Sequence, residues 1–134
     1  MVFAEGENIE DDLDKSWQGI HFCLNETAYE AVPPMDFIIE GGENAGNIDV
    51  GIGPARLINS ETVKEINKKI SNISREQFYK KYNPSEMVKL GIYPNIWERD
   101  GDESFEYIWE NFETLKQFVG NCSNHDVGMA LYLT

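Results

Sequence analysis

The chain has 134 residues, 41% of them hydrophobic and 12% aromatic, so it can bury one core and is too apolar to remain disordered. Its 24 acidic and 11 basic side chains give a formal net charge of −13, which repels nucleic acid and anionic membranes at long range. The chain has no apolar run of the ~20 residues that a membrane span needs, and it does not begin like a secretory signal. We therefore expect a cytoplasmic protein that binds neither nucleic acid nor membrane.

The first part of the chain predicts an acidic segment followed by a helix. Residues 1–11 are rich in acids, and we expect them to be a mobile segment outside a single domain over residues 12–134. Apolar residues spaced by three and four predict an amphipathic helix over 12–24. Gly19 weakens that helix by ~1 kcal/mol relative to alanine, a cost that is tolerable where a neighbouring element must approach closely.

The next segments predict short elements punctuated by proline and glycine. Residues 31–42, "AVPPMDFIIEGG", predict a short buried helix that ends at the glycine pair. β-Branched residues alternate in residues 47–53 and predict a strand, broken where Pro54 removes a backbone donor. Residues 60–72 predict a helix with Ser60 as its N-cap.

The second half of the chain predicts capped helices and a terminal strand. A capping box from Ser74 to Gln77 opens one helix, and "NPSE" at 83–86 opens the next with an N-cap and an N1 proline. The strongest period lies in residues 102–119, where Gly120 is the expected stop. Residues 127–134 predict a strand. Several helices around a small mixed or antiparallel sheet indicate an α+β fold.

Cysteine and histidine usage gives little indication of chemistry. Cys23 and Cys122 form no CxxC pattern, and we interpret them as reduced apolar residues. The chain has only two histidines, His21 and His125, and they lack metal-binding spacing. We therefore predict no metal, no cofactor and no assignable catalytic residue.

Trp17 and His21 are four residues apart and share one face of the predicted helix. One interpretation is a polar group beside an aromatic wall, which would suit a ligand or acid–base site. The other is a tryptophan at the edge of the core with a hydrogen-bonded histidine. The sequence leaves both open.

Residues 92–97, "IYPNIW", join two predicted helices and include two aromatic rings. Pro94 favours an extended conformation at Tyr93, and Asn95 tolerates a left-handed turn. Tyr93 and Trp97 therefore form either a structural corner or an aromatic contact surface.

Three segments, "LDKSWQGIHFCL", "GPARLINSETVKEI" and "IYPNIWERDGDESFEYIWENFETLKQF", together resemble the YfbM-like family, small bacterial proteins of unknown function. The family pattern, D-K-x-W-x-G-x-H, then G-P-A-R, then Y-P-x-I-W, matches Asp14, Lys15, Trp17, Gly19, His21, Gly53, Pro54, Ala55, Arg56, Tyr93, Pro94, Ile96 and Trp97. The resemblance implies an α+β domain with helices around a small sheet, and it implies no established activity.

Family members usually begin with a further strand and helix, which this chain is expected to lack. If that strand is missing, residues 127–134 or 47–53 would form an exposed sheet edge and allow weak self-association.

Two hypotheses for function remain, beside a third interpretation in which the motifs specify only the fold. The first is a non-enzymatic acidic interaction module, which binds a basic protein as small immunity-like antagonists of toxins do. The alternative is a small-molecule or catalytic site lined by Trp17, His21, Arg56, Tyr93 and Trp97, in which Arg56 holds an anion and the rings stack. The alternative requires these five side chains to converge on one pocket.

Overall fold

The computed structural model describes residues 2–5, 9–49 and 54–133. The strands in these ranges are β1 (Val2–Glu5), β2 (Ile9–Asp12), β3 (Glu43–Asp49), β4 (Pro54–Ile58) and β5 (Met129–Tyr132). They form one antiparallel sheet in the order β2-β1-β5-β4-β3. The helices are α1 (Trp17–Asn25), α2 (Ser60–Ile70), α3 (Arg75–Lys81), α4 (Pro84–Lys89), α5 (Trp97–Asp100) and α6 (Asp102–Asn124). The predicted α+β class is confirmed.

The strand that this chain was expected to lack ahead of α1 is present as β1. The C-terminal strand β5 pairs with it at the centre of the sheet, so residues 127–134 do not form the edge that a missing strand would have left. Leu131 of β5 is opposite Phe3 of β1 on one side and Arg56 of β4 on the other. The edges of the sheet are instead β2 and β3. The segment 1–11, expected outside the domain, contributes β1 and most of β2 to this sheet. Of the predicted strand 47–53, residues 47–49 belong to β3 and the rest lie outside the described residues.

Helix α6 extends past its predicted end and forms the centre of the helical layer. The apolar residues that predicted it are buried along one side: Phe105, Ile108, Trp109, Phe112, Leu115, Phe118 and Val119. Gly120 does not stop the helix, which ends at Asn124. Cys122 after the glycine is completely buried, and α6 packs along α2, so packing outweighs the ~1 kcal/mol cost of a helical glycine.

Helix α1 begins five residues later than predicted because a turn precedes it. The backbone φ of Asp14 is +52°, which a right-handed helix cannot contain. The N–H of Asp14 donates to Asp12 Oδ1 at 2.8 Å, and the hydroxyl of the buried Ser16 donates to the Leu13 carbonyl at 2.6 Å. These local bonds hold the chain in a turn up to Trp17.

Residues 33–39 form successive turns, so the predicted helix over 31–42 is wrong. Pro33 and Pro34 lack backbone donors, and a run this short has too few bonds left to nucleate a helix. Phe37 and Ile38 are nevertheless buried, as the apolar pattern predicted.

The capping signals are confirmed at α3 and α4. Ser74 and Gln77 form a reciprocal capping box, and Asn83 accepts the Glu86 N–H with proline at the first helical position. At α2 the cap lies one residue earlier than predicted, since the Asn59 side chain accepts the Thr62 N–H at 2.8 Å.

Candidate functional site

Trp97 is a core residue that holds α1 against the 92–97 joint. Its side chain is completely buried, and its indole Nε1–H donates to the Ile92 carbonyl at 2.9 Å. A Cβ atom at Gly19 would lie 2.9 Å from Trp97 Cη2, so only glycine permits this approach. The close contact expected at Gly19 is therefore present.

Trp17 and Tyr93 form an aromatic pair between α1 and the joint. Their ring centroids are 5.8 Å apart with an interplanar angle of 29°. The Tyr93 N–H donates to Gln18 Oε1 at 2.8 Å, which fixes the joint on α1. Trp17 is 8% exposed and Tyr93 is 41% exposed, so one ring supports the other from beneath. The buried Trp17 Nε1–H has no hydrogen-bond partner among the described residues.

His21 is completely buried and lies among polar neighbours rather than at the surface. Its Nδ1 is 3.4 Å from Asn25 Nδ2, and its Nε2 is 3.4 Å from Thr27 Oγ1. Burial lowers the pKa of His21 below its ordinary value, because the charged imidazole loses its hydration. This geometry fits the hydrogen-bonded core histidine, one of the two interpretations that the sequence left open.

Arg56 lies on β4 and holds the turns of residues 33–39. Its Nη1 donates to the Phe37 carbonyl at 2.9 Å and to the Gly41 carbonyl at 3.2 Å, and its Nη2 donates to the Ile38 carbonyl at 2.8 Å. A further Nη1–H bond goes to the Glu40 carbonyl. The guanidinium donors are thus largely occupied within the fold, where burial lowers the pKa of Arg56.

The five candidate residues do not all meet at one place. Trp17, Tyr93 and Trp97 are close to one another around the joint, His21 lies in the core, and Arg56 binds a separate segment. None of the five lines any of four surface pockets in the described part of the chain.

A groove beside the joint brings together two of the three sequence segments singled out above. It has a volume of about 400 Å³ and is lined by Lys15, Pro94, Ile96, Asp100, Glu103, Ser104 and Tyr107. We call it the joint groove. Its residues come from the turn before α1, from the joint, from α5 and from the first turns of α6. The exposed Tyr93 immediately precedes Pro94 of its wall.

Tyr107 ties the two sides of the joint groove together. Its hydroxyl donates to Asp14 Oδ2 at 2.7 Å and accepts the Lys15 N–H at 2.9 Å. Partial burial raises the pKa of the Tyr107 phenol, and the hydrogen bond to the Asp14 carboxylate raises it further. The same bond lowers the pKa of Asp14, so this carboxylate remains charged at neutral pH. These two bonds fix Tyr107 against the turn before α1, and the Asp14 carboxylate adds a negative charge beside the groove.

Sequence patterns do not single out Tyr107 or Ser104. Tyr107 lies off the apolar face of α6, and its partner Asp14 is 93 residues earlier in the chain. No spacing within α6 signals this pair, because its two residues lie far apart in the sequence.

The described residues show neither a metal cluster nor a membrane helix. In the ranges 2–5, 9–49 and 54–133, no three His, Cys, Asp or Glu side chains group as metal ligands would. No helix in those ranges is both long and apolar enough to span a bilayer.

This architecture defines an α+β domain with a helical layer built around α6 over an antiparallel sheet, and comparison with known proteins gives its family. Residues 2–132 match the family described as "Domain of unknown function (DUF1877)". The chain belongs to this family, and the resemblance to YfbM-like proteins is confirmed. The match begins at residue 2, within the segment expected to lie outside the domain.

A solved structure has the same fold. The crystal structure of YfbM from Escherichia coli, a protein of unknown function, aligns with a TM-score of 0.74 at 16% sequence identity. The alignment covers 97% of this chain and 98% of that chain. At this identity the likeness shows the fold alone. A comparison with curated proteins found no match.

Proposed function

We propose that the domain is a non-enzymatic binding module of the bacterial cytoplasm, and that a basic protein binds it at the joint groove. The observation on which the proposal rests is an apolar and aromatic groove edged by carboxylates. Pro94, Ile96 and Tyr107 supply the apolar and aromatic lining. Glu103 adds negative charge, the lining also contains the base Lys15, and the carboxylate of Asp100 is paired with Arg99. The net charge of −13 supports the same partner class, since it accelerates encounter with a cationic surface.

The Trp17–Tyr93 pair supports recognition of a cation in particular. Tyr93 exposes 41% of its surface on top of a nearly buried tryptophan, so its ring is held in place before any partner binds. A guanidinium or ammonium group can stack on such a ring while a neighbouring carboxylate accepts its hydrogen bonds. An ordered ring and a bonded Asp14 also reduce the entropy lost on binding.

The placement of the polar residues supports binding rather than catalysis. His21 is buried with neighbours at both ring nitrogens, and the Arg56 donors are directed at backbone carbonyls. Neither residue lines the joint groove. The alternative, a catalytic or small-molecule site formed by all five candidates, would require these side chains to leave their present partners.

The proposal is tested by charge reversal at matched positions. Glu103 lies in the first turn of α6 at the groove, and Glu61 lies in the first turn of α2, away from it. Both glutamates are exposed, so Glu103→Lys and Glu61→Lys make the same change to net charge and to the helix dipole. The domain is immobilised, protein from the native host is passed over it, and bound proteins are identified and then repurified.

We expect a purified basic partner to bind the wild type and Glu61→Lys with similar affinity and to bind Glu103→Lys at least about fivefold more weakly. Binding should also weaken as salt increases. Equal loss in both variants would show that only net charge matters. Absence of any basic partner at low salt would contradict the proposal itself.

A further inference from the structure

A second pocket is larger than the joint groove. Its rim is basic, although the protein as a whole is acidic. Its volume is about 580 Å³, within the range typical of small-molecule sites. The lining comprises Cys23, Leu24, Met35, Lys69, Ile73, Gln77, Phe78, Lys80 and Lys81. We call it the lysine-rimmed pocket. It shares no lining residue with the joint groove.

The floor of the lysine-rimmed pocket is apolar. Cys23 and Phe78 are 3% and 1% exposed and belong to the core, while Leu24, Met35 and Ile73 are partly buried against it. Burial raises the pKa of the Cys23 thiol, so this group is neutral and acts as apolar surface. Methionine adapts its shape to irregular ligands at little cost. The floor therefore suits a hydrocarbon group.

The rim of the pocket concentrates positive charge. Residues 61–89 contain seven basic and four acidic side chains, whereas the whole chain has a net charge of −13. Three of those bases, Lys69, Lys80 and Lys81, line this one pocket. Lys81 pairs with Glu26 at 3.1 Å across an exposed surface. Lys69 and Lys80 form no ion pair with any residue in the described ranges, so their ammonium groups are available to a ligand.

We infer that the lysine-rimmed pocket binds a small amphipathic anion, namely a carboxylate with a single medium-length alkyl chain. The alkyl chain lies on the floor formed by Leu24, Met35 and Ile73, and the carboxylate lies at the rim near Lys69 and Lys80. Neither part suffices alone. Exposed lysine–carboxylate pairs are weak in water, and an apolar pocket does not by itself select an anion.

The charge of the pocket favours this ligand over the alternatives. A cationic partner, which the joint groove suits, would be repelled by the unpaired Lys69 and Lys80. A neutral hydrocarbon would leave the ammonium groups without a counter-charge. An amphipathic anion matches both the floor and the rim, and it does so although the protein as a whole repels anions.

The test is titration of the full chain with decanoate, followed by calorimetry and by methyl NMR of Met35 and Ile73. Acetate has the same head group without the chain, and decylammonium has the chain with the opposite charge. The double variant Lys69→Gln/Lys80→Gln removes the two unpaired rim charges. The matched control, Lys68→Gln/Lys89→Gln, removes two exposed lysines that do not line the pocket.

We expect saturable decanoate binding at micromolar to low millimolar concentration, shifts of the Met35 and Ile73 methyl signals, and no comparable binding of acetate or decylammonium. The Lys69→Gln/Lys80→Gln variant should bind decanoate about tenfold more weakly, and the control variant within about twofold of the wild type. Four results would overturn the inference: no saturation, unmoved methyl signals, equal binding of decylammonium, or equal weakening in both double variants.

Discussion

Gly19 and Trp97 are in direct contact, and this contact joins α1 to the segment that forms the joint groove. A Cβ atom at position 19 would lie 2.9 Å from Trp97 Cη2 and 3.1 Å from Ile108 Cδ1. Trp97 is fully buried and cannot move outward without opening the core. The glycine of α1 therefore sets the distance between α1 and the joint whose Pro94 and Ile96 line the groove.

We predict that Gly19→Ala destabilises the domain by up to about 2 kcal/mol, since overpacking costs about 1–3 kcal/mol. The gain in helix propensity, about 1 kcal/mol, is smaller than the cost of overpacking against a buried ring and a buried isoleucine. Urea denaturation followed by circular dichroism measures the difference.

Gly120→Ala is the matched control for this substitution, because Gly120 also lies inside a helix. Its added Cβ would meet only Asn67 Oδ1, at 3.7 Å, which is an ordinary contact. This variant should be stabilised by about 0.5–1 kcal/mol. Stabilisation of both variants would contradict the close packing of Trp97 on α1.

Arg56→Gln should destabilise the domain by about 2–3 kcal/mol, because it removes charged donors from the carbonyls of Phe37, Ile38 and Gly41. Arg56→Lys should recover only part of that loss, since one ammonium cannot reach carbonyls arranged around a planar guanidinium. Thermal and urea unfolding measure both variants. Arg99→Gln, at an exposed arginine, should leave stability unchanged. If Arg56→Gln leaves stability unaltered, the structural role of Arg56 is contradicted, and its guanidinium is available to a ligand.

Stability should fall on mild acidification because of His21. Burial lowers the pKa of folded His21 below its ordinary value of 6.5, so below pH 6.5 the unfolded chain binds a proton that the folded chain rejects. The stabilising contribution is therefore complete above pH 6.5 and is lost as the pH falls toward the lowered pKa. Urea midpoints between pH 7.5 and 5.5 measure this slope.

His21→Gln should remove this dependence of stability on pH. His125→Gln changes the second histidine, which is exposed, and should keep the dependence. If the slope survives in His21→Gln, the buried imidazole is not its source.

Self-association is proposed at the edges of the sheet, β2 and β3. β2 spans Ile9–Asp12 and three of its four residues are acidic, so edge-to-edge pairing brings like charges together. We expect sedimentation velocity to show mostly monomer at low salt and a growing dimer fraction at high salt, where repulsion is screened. A monomer at both salt concentrations across the micromolar range would exclude pairing at either edge.

The sequence predicted elements whose causes are local. The caps at Ser74 and Asn83 and the apolar period of α6 depend on residues three or four positions apart, and all three are present. The prediction for Gly120 failed because a distant contact overrides a local signal. The helix predicted for residues 31–42 failed because Pro33 and Pro34 lack backbone donors in a short run, and a distant residue holds the turns that form there instead. Arg56 binds carbonyls 15–19 residues earlier, and α2 supports α6 beyond its glycine.

The sequence predicted only some of the residues at the site. The aromatic joint pointed to Tyr93 and Trp97, but the sequence could not show that one ring is exposed and the other fully buried. Tyr107 could not be found, since its role comes from Asp14 at the far end of the chain. Burial and long-range pairing are decided by the whole fold and not by spacing.

The most direct test of the joint groove as a binding surface is photo-cross-linking from matched tyrosines. Tyr93 borders the groove and is 41% exposed, and Tyr79 lies on α3 and is 50% exposed. Each is replaced in turn by p-benzoylphenylalanine, and the protein is irradiated with its purified basic partner. We predict a cross-linked product from position 93 and little or none from position 79. Equal products from both positions, or a product from position 79 alone, would contradict binding at the joint groove.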